Sequence, residues 1–344
     1  MPDRSIPVAL VGFGGSGSGI HAPLIDATEG LDVAVVVARG EERRAAAAQR
    51  YPHAEVTDLL DAAKAAAVAV VTLPVHHRGD TVAHLVDAGT RVVVEKPFAG
   101  DLAGAQQLAV RVGDQVTVFH NRRWDSDFLT LKRLHRAGAW TGPVRLTSRI
   151  QRWQPTVRDS WRNDPQGGGF LREVGPHQID QAIQLLGPVT GVYAEVLVRR
   201  PGSRTEDDVF LAITHADGSV SHLISGALGN TDLPRFEVSA RDALVSLGTA
   251  DPQHDQLHAG LSPLDPSWGV TDASDWRRRG ADGEWDDVLP ERGWWPGFYE
   301  ATRDWLSGSG GPVSVEDGVA TMQVIDAARE SARSGRREPI GAAR

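Results

Sequence analysis

The sequence predicts an α/β fold: an N-terminal parallel sheet, then a C-terminal α+β domain with a large, mainly antiparallel sheet. Short apolar runs alternate with helical segments over residues 1–120, which is typical of βαβ units. Beyond residue 120, strand-like segments follow one another without intervening helices. The 344 residues exceed an ordinary domain of about 100–200 residues, so we expect two domains, 1–120 and 121–344.

The N-terminal half contains the predicted βαβ units. Its strands are short, apolar and rich in valine, as expected for a sheet buried on both faces; they are 6–11, 33–38, 68–73, 91–94 and 116–119. Helices are predicted between them at 21–28, 41–50, 80–88 and 102–112. Gly89 is well placed to end the third of these helices.

The C-terminal half has two predicted helices, 127–136 and 176–186, and then mainly strands. The strands are 144–150, 192–198, 209–214, 220–225, 236–240 and 243–247, and Asp217-Gly218 predicts a hairpin turn. Residues 251–295 are rich in Asp, Gly, Pro and Trp and are predicted to be loops. A closing helix is predicted over 316–334, with Ser314 and Asp317 as its capping box.

Composition excludes several classes of function. The net charge of −9 and the lack of a long basic run disfavour nucleic acids and anionic membranes as partners. The absence of cysteine excludes disulfides, thiolate zinc sites and cysteine nucleophiles. No N-terminal stretch approaches the about 20 apolar residues of a membrane span. We expect a soluble, cytoplasmic protein with a small-molecule substrate.

A glycine-rich segment follows the first predicted strand and precedes a helix. Gly12 permits a tight turn, Gly14 lets the backbone approach a pyrophosphate, and Gly17 lets helix and strand pack closely. The helix N-terminus then offers N–H groups to the phosphates. The segment therefore predicts a Rossmann domain that binds NAD or NADP; its members are Gly12, Phe13, Gly14, Gly15, Ser16 and Gly17. The alternative is an ordinary glycine-rich loop.

The end of the second strand is expected to select the cofactor. An acidic residue there binds the ribose 2′-OH of NAD, whereas arginine accommodates the 2′-phosphate of NADP. Arg39 at this position favours NADP, although Glu41 and Glu42 are alternatives that favour NAD. Arg43 and Arg44 are also compatible with a solvated helix face paired with these glutamates.

Glu95-Lys96-Pro97 follows the fourth predicted strand. Ligands of open parallel sheets bind beyond the carboxyl ends of the strands, so Lys96 is expected beside the cofactor. A partly desolvated lysine can act as an acid or base. The alternative is that Glu95 and Lys96 form an ordinary surface ion pair.

Five stretches along the chain resemble the Gfo/Idh/MocA family of NAD(P)-dependent sugar and polyol dehydrogenases, most closely its scyllo-inositol dehydrogenase branch. They are Val11–Gly14 with His21, Ala22, Pro23 and Leu24; Glu95–Phe98; Asn121–Asp125; Gly167–Gly169 with His177, Ile179 and Asp180; and Ile325–Ser331. The resemblance covers nearly the whole chain. It implies a homodimer or homotetramer.

The resemblance implies roles for individual residues. Lys96 matches a lysine close to substrate and nicotinamide, and His177 a histidine that exchanges a proton with the reacting hydroxyl. Glu173 stands where the family has aspartate, which adds one methylene to this side chain. Further cofactor contacts are implied for Thr72, Leu73, Pro74, His77 and Glu95, although Arg78 replaces the histidine that the family often has there.

Glu173 and His177 are four residues apart, so they share a helix face if the helix already includes Glu173. A carboxylate near an imidazole raises its pKa and fixes its orientation, which suits a catalytic base for alcohol oxidation. One alternative is a buried or capping histidine. Another is a metal site with Asp180, which we disfavour because no further ligands are evident; we expect no metal.

Arginine and tryptophan are good at binding polyols, through hydrogen bonds and ring stacking. The candidate substrate-binding residues are Arg122, Trp124, Trp161, Arg162, His177 and Asp180, with Arg123 adjacent. A structural arginine–tryptophan stack is the alternative for this group.

The sequence thus predicts hydride transfer between a nicotinamide and a sugar, inositol or related polyol, or its ketone. Lys96, Glu173 and His177 are the predicted catalytic residues. The alternatives are a catalytically silent NAD(P)-binding sensor and a reductase of a non-sugar compound. The presence of both Lys96 and His177 favours the enzyme, because a sensor has no need of an acid–base pair.

Overall fold

The computed structural model describes residues 5–157, 163–165 and 167–341. These residues form two compact units. The first unit contains the described residues up to Trp124, together with Gln253–Gly269 and Trp294–Val319. The second unit contains the other described residues.

The strands are numbered in chain order. They are β1 Ile6–Val11, β2 Leu31–Val37, β3 Glu55–Thr57, β4 Val68–Val71, β5 Arg91–Glu95, β6 Val116–Phe119, β7 Arg145–Gln151, β8 Val189–Leu197, β9 Asp208–His215, β10 Val220–Gly226, β11 Phe236–Ser239, β12 Leu244–Leu247, β13 Arg277–Arg279, β14 Trp285–Asp287 and β15 Glu338–Pro339.

The α-helices are α1 Ala22–Asp26, α2 Glu41–Arg50, α3 Arg78–Asp87, α4 Leu102–Val112, α5 Ser126–Arg136, α6 Phe170–Glu173, α7 Gly175–Leu186, α8 Gln253–His258, α9 Pro296–Leu306 and α10 Val315–Ser334. A π-helical turn, Gly17–His21, leads into α1. Short 3-10 turns occur at Leu60–Ala65, Val75–His77, Gly113–Gln115 and Asn121–Trp124.

The first unit is built on a parallel sheet with strand order β3-β2-β1-β4-β5-β6. Val8, Ala9 and Leu10 in β1 are fully buried, as expected for a strand covered on both faces. All strands run in the same direction, so the carboxyl ends of β1, β4 and β5 lie side by side at one edge. The predicted Rossmann sheet is confirmed, with the three-residue edge strand β3 added to it.

The second unit is built on a mixed, mostly antiparallel sheet with order β14-β13-β12-β11-β7-β10-β9-β8-β15. The hairpin predicted at Asp217-Gly218 is confirmed, since β9 and β10 pair antiparallel and Gly218 has φ +88°. The parallel neighbours are β7 and β10. The predicted α/β class, with a large and mainly antiparallel second sheet, is confirmed.

The prediction of loops throughout 251–295 is wrong, because α8, β13 and β14 lie there. The strands β13 and β14 are three residues each and mostly charged, so they lack an alternating apolar pattern. Helix α10 begins near its predicted start, and Ser314 Oγ accepts the Asp317 N–H at 3.1 Å. The Asp317 carboxylate pairs with Arg123 at 3.0 Å. No described helix is long and apolar enough to span a bilayer.

Candidate active site

The glycine turn after β1 has the geometry that its sequence predicts. Gly12 has φ +103°, a conformation that favours glycine. A Cβ at Gly17 would lie 2.1 Å from Gly12 O, so only glycine permits this close approach of helix and turn. A Cβ at Gly14 or Gly15 would meet no atom within 4 Å. The turn therefore leaves open space in front of the helix N-terminus and fits the pyrophosphate of a dinucleotide.

Two neighbouring side chains support this turn from within the protein. Thr72 Oγ1, just after β4, donates to Gly12 O at 2.9 Å. The Phe13 ring is buried, with its centroid 6.3 Å from that of Tyr51 in an edge-to-face arrangement. Thr72 and Phe13 were predicted to contact the cofactor. In the structure their side chains pack within the protein and support the turn.

The arginines after β2 have different surroundings. Arg39 is exposed, and the described residues provide it with no ion-pair partner. Arg44 instead lies 3.6 Å from the carboxylate of Asp58 and donates to Ala38 O at 3.4 Å. The alternative in which Arg44 pairs with Glu41 or Glu42 is therefore wrong. Arg39 is the arginine at the predicted 2′-phosphate position.

Arg78 is a buried residue at the carboxyl end of the parallel sheet, and its side chain binds three backbone carbonyl groups. Its Nη1 donates to Glu95 O and Pro97 O at 2.7 Å each, and its Nε donates to Leu73 O at 2.6 Å. Burial lowers the pKa of Arg78 to about 10, although the nearby charge of Glu95 opposes this effect. The guanidinium stays charged at neutral pH. The residue that departs from the family pattern thus fixes the backbone on both sides of Lys96.

Glu95 lies at the end of β5 and is only 6% exposed. Its Oε1 accepts hydrogen bonds from Ser16 Oγ and from His21 Nε2, the latter at 2.9 Å. Burial alone would raise the pKa of Glu95, but the His21 hydrogen bond and the charges of His21, Lys96 and Arg78 outweigh it and lower the pKa to about 2. The interpretation of Glu95 and Lys96 as an ordinary surface ion pair is therefore wrong.

Lys96 follows directly and is half-buried. Its backbone N–H donates to Glu95 Oε2 at 3.0 Å, and the bond from Lys96 to Pro97 is cis. The first unit therefore brings the glycine turn, Glu95 and the Lys96 backbone together at the carboxyl edge of its sheet. The other predicted cofactor contacts, Leu73, Pro74 and His77, follow β4 at the same edge, and the His77 ring is exposed beside that of His76.

The sequence did not single out Tyr299, which belongs to the same buried network. Its hydroxyl hydrogen-bonds to His21 Nδ1, and its side chain is 1% exposed. Burial, together with the charge of Glu95, raises the pKa of Tyr299 well above its ordinary value. The signal for its helix was present, because Pro296 suits a first turn and the buried residues Phe298, Thr302 and Trp305 have helical spacing.

In the second unit, the helix that carries His177 does not include Glu173. Glu173 ends the short helix α6, and His177 lies in the first turn of α7, after a break at Val174. The condition for a shared helix face is thus not met. His177 is 8% exposed and Asp180 2%. Arg152, which sequence reasoning missed, places Nη1 3.9 Å from Glu173 Oε1.

A second buried polar network anchors α7 to the sheet of its unit. Gln178 Nε2 donates to Ser148 O at 3.0 Å. Arg235 donates to Ser148 Oγ at 2.6 Å and to Gln181 Oε1 at 2.8 Å. Its Nε lies 3.6 Å from the fully buried carboxylate of Asp127. These contacts fix the orientation of the helix that presents His177.

The predicted substrate-binding residues Arg122 and Trp124 each pack against an aromatic side chain of the first unit. The Arg122 guanidinium lies 5.9 Å from the Trp295 ring centroid. The Trp124 ring contacts Phe298 edge-on at 5.6 Å, and a Cβ at Gly297 would come within 2.6 Å of it. An arginine–tryptophan stack, the alternative for this group, is thus present for Arg122, whereas Trp124 packs on Phe298. Trp161 and Arg162 lie outside the described residues.

Among the described residues, no three His, Cys, Asp or Glu side chains are grouped so that they could bind a metal ion.

Family comparisons agree with this geometry. Residues 6–120 match the model of an oxidoreductase family with an NAD-binding Rossmann fold, and residues 128–245 match the GFO/IDH/MocA C-terminal domain. The chain belongs to the Gfo/Idh/MocA oxidoreductase family. The resemblance inferred from the sequence is confirmed.

Similar proteins extend over nearly the full chain. Scyllo-inositol 2-dehydrogenase (NADP(+)) IolW of Bacillus subtilis is 29% identical, over 96% of this chain and 95% of its own length. The uncharacterized oxidoreductase YdgJ of Escherichia coli is 31% identical, over 96% and 97%. A solved structure from Yersinia pestis has TM-score 0.92 at 30% identity and covers 100% of this chain and 99% of that one.

Proposed function

We propose that this oxidoreductase transfers a hydride between NADP and a carbon that bears a hydroxyl group in a sugar, inositol or related polyol, or reduces the corresponding ketone. The observation that carries the proposal is the placement of Lys96. Its backbone is held by the buried Glu95 and Arg78 at the sheet edge where the glycine turn opens. The Bacillus subtilis relative named for NADP-dependent inositol oxidation supports the substrate class.

The nicotinamide, when bound, supplies the hydride acceptor or donor. The glycine turn binds the pyrophosphate, and Arg39 binds the ribose 2′-phosphate. In the oxidation direction, His177 takes the hydroxyl proton while Lys96 donates a hydrogen bond to the developing alkoxide. Arg152 is the charged neighbour of Glu173, with its Nη1 3.9 Å from Glu173 Oε1.

The test is a panel of inositols, sugars and their ketones with NADP(H) and NAD(H), followed by the ultraviolet absorbance of the reduced nicotinamide. We expect turnover of at least one polyol with NADP+. Lys96→Ala is expected to lower kcat about 10²- to 10⁴-fold, the usual contribution of an acid–base group. The matched control is Lys64→Ala, because Lys64 pairs with Asp61 on the surface and its loss should leave kcat unchanged.

Two results would contradict the proposal. NADPH binding without turnover of any polyol or keto-sugar would favour the sensor alternative. A wild-type kcat in Lys96→Ala would show that Lys96 takes no part in the reaction.

A further inference from the structure

The protons of the buried network can be assigned from the chemistry of its groups. Glu95 has a pKa of about 2 and is ionised at neutral pH, so its carboxylate can only accept hydrogen bonds. His21 Nε2 must therefore carry the proton shared with Glu95 Oε1. Tyr299 keeps its proton because its pKa is raised, and its hydroxyl hydrogen-bonds to Nδ1 of His21. The hydrogen bonds run from Tyr299 through His21 to Glu95.

The same carboxylate holds two segments that border the nucleotide site. Oε1 accepts from the hydroxyl of Ser16, a residue of the glycine turn. Oε2 accepts from the backbone N–H of Lys96. One carboxylate therefore links the glycine turn directly to the Lys96 backbone.

Burial separates this network from the reacting atoms. The order hydroxyl, imidazole, carboxylate is that of a hydrolase triad. However, His21 is fully buried and Tyr299 is 1% exposed, so no substrate reaches the hydroxyl. The Tyr299 and His21 side chains are packed around Phe119, whose centroid is 4.1 Å from the imidazole. Orientation of Glu95 is the role that this environment permits.

We propose that Glu95 is a positioning residue that couples the phosphate-binding turn to Lys96 through Ser16, while His21 and Tyr299 fix the orientation of its carboxylate. The proposal rests on the proposed function only for the chemistry of Lys96, since the coupling itself involves nucleotide binding.

The kinetic test uses Glu95→Gln and Tyr299→Phe. Glutamine keeps the shape but turns an NH₂ donor toward groups that are themselves donors. We expect kcat to fall about 10- to 100-fold in Glu95→Gln through misplacement of Lys96, with little change in the KM for NADP+. Tyr299→Phe keeps the ring packing and removes the hydroxyl that hydrogen-bonds to His21, so we expect kcat to fall about two- to tenfold.

In the double variant Glu95→Gln/Tyr299→Phe, the two decreases in kcat are expected to be less than additive, because both substitutions act on one carboxylate. Tyr193→Phe is the matched control, because the Tyr193 hydroxyl contacts Glu195 at an exposed site. A merely structural role would lower the unfolding temperature while kcat of the folded enzyme stayed at the wild-type value, and this result would overturn the proposal.

A second measurement needs no turnover. The chain has three lysines, Lys64, Lys96 and Lys132. Reductive methylation with isotope-labelled formaldehyde gives NMR signals from these lysines and from the N-terminal amine, and the Lys96 signal is identified as the one that Lys96→Arg removes. Saturating NADP+ is expected to shift the Lys96 signal in the wild type and to shift it less in Ser16→Ala and Glu95→Gln. Equal shifts in all three proteins would contradict the coupling. If no polyol reacts, the proposed function fails while this readout remains valid.

Discussion

Glu95 in the first unit and Arg235 in the second both lie in buried polar networks, but the two networks connect different parts of the molecule. The partners of Glu95 include Ser16 of the phosphate-binding turn and the backbone of Lys96. The partners of Arg235 are interior groups that join α7 to its sheet. The comparison indicates that Glu95 serves the nucleotide site, whereas Arg235 maintains the unit that presents His177.

The largest expected effect on stability is that of Arg235→Met. Removal of the guanidinium leaves the fully buried carboxylate of Asp127 without its nearest charge partner, a change that typically costs about 3–5 kcal/mol. Urea unfolding measures the loss. The matched control is Arg145→Met, because Arg145 is exposed on β7 and should change the free energy of unfolding by about 0.5 kcal/mol or less. Equal losses for the two variants would contradict the assigned role of Arg235.

Glu95 is expected to make a smaller contribution, and one that depends on pH. Its pKa is about 2 in the folded chain against an ordinary value of 4.5, so the folded state favours the carboxylate. This contribution, about 3 kcal/mol, is present above pH 4.5 and is lost as the pH falls toward 2. Urea unfolding at about pH 7 and about pH 3 should therefore show a smaller loss on acidification in Glu95→Gln than in the wild type. A loss of the same size in both proteins would mean that Glu95 is not held as proposed.

The smallest expected effect concerns a residue outside both networks. Arg39→Ala should weaken NADP+ binding about tenfold, the value of a hydrogen bond to a charged group, and leave NAD+ binding unchanged. Fluorescence titration measures both affinities. Arg44→Ala is the control, since Arg44 is already paired with Asp58. Equal weakening of NAD+ and NADP+ would argue against selection of the 2′-phosphate by Arg39.

Much of the fold was predictable, because its core strands are short, apolar and buried on both faces. Helices α2 and α4 and strands β1 and β6 begin and end at the predicted residues. Strands β3, β13 and β14 were missed because they are three residues long and contain few apolar side chains. β13 also pairs with β12, which lies well before it in the sequence, and the local pattern does not indicate this pairing.

The candidate site was predictable where a local motif defines it and less so where distant residues meet. The glycine turn and Lys96 follow from spacing and from their position after strands. The contacts of His21 with Glu95 and with Tyr299 join residues 74 and 278 positions apart, so no local motif predicts them. Arg78 appeared in the sequence only as a departure from the family pattern, whereas the structure gives it three backbone carbonyl partners.

Transfer of deuterium tests the central claim most directly. A panel of inositols and sugars labelled with deuterium at the carbons that bear the hydroxyl groups is incubated with the protein and NADP+, and the nucleotide is analysed by mass spectrometry. The proposed function predicts that deuterium from one of these carbons appears in the reduced nicotinamide, and that Lys96→Ala slows the transfer about 10²- to 10⁴-fold while NADP+ still binds. Nucleotide that binds normally but gains no deuterium from any member of the panel would contradict it.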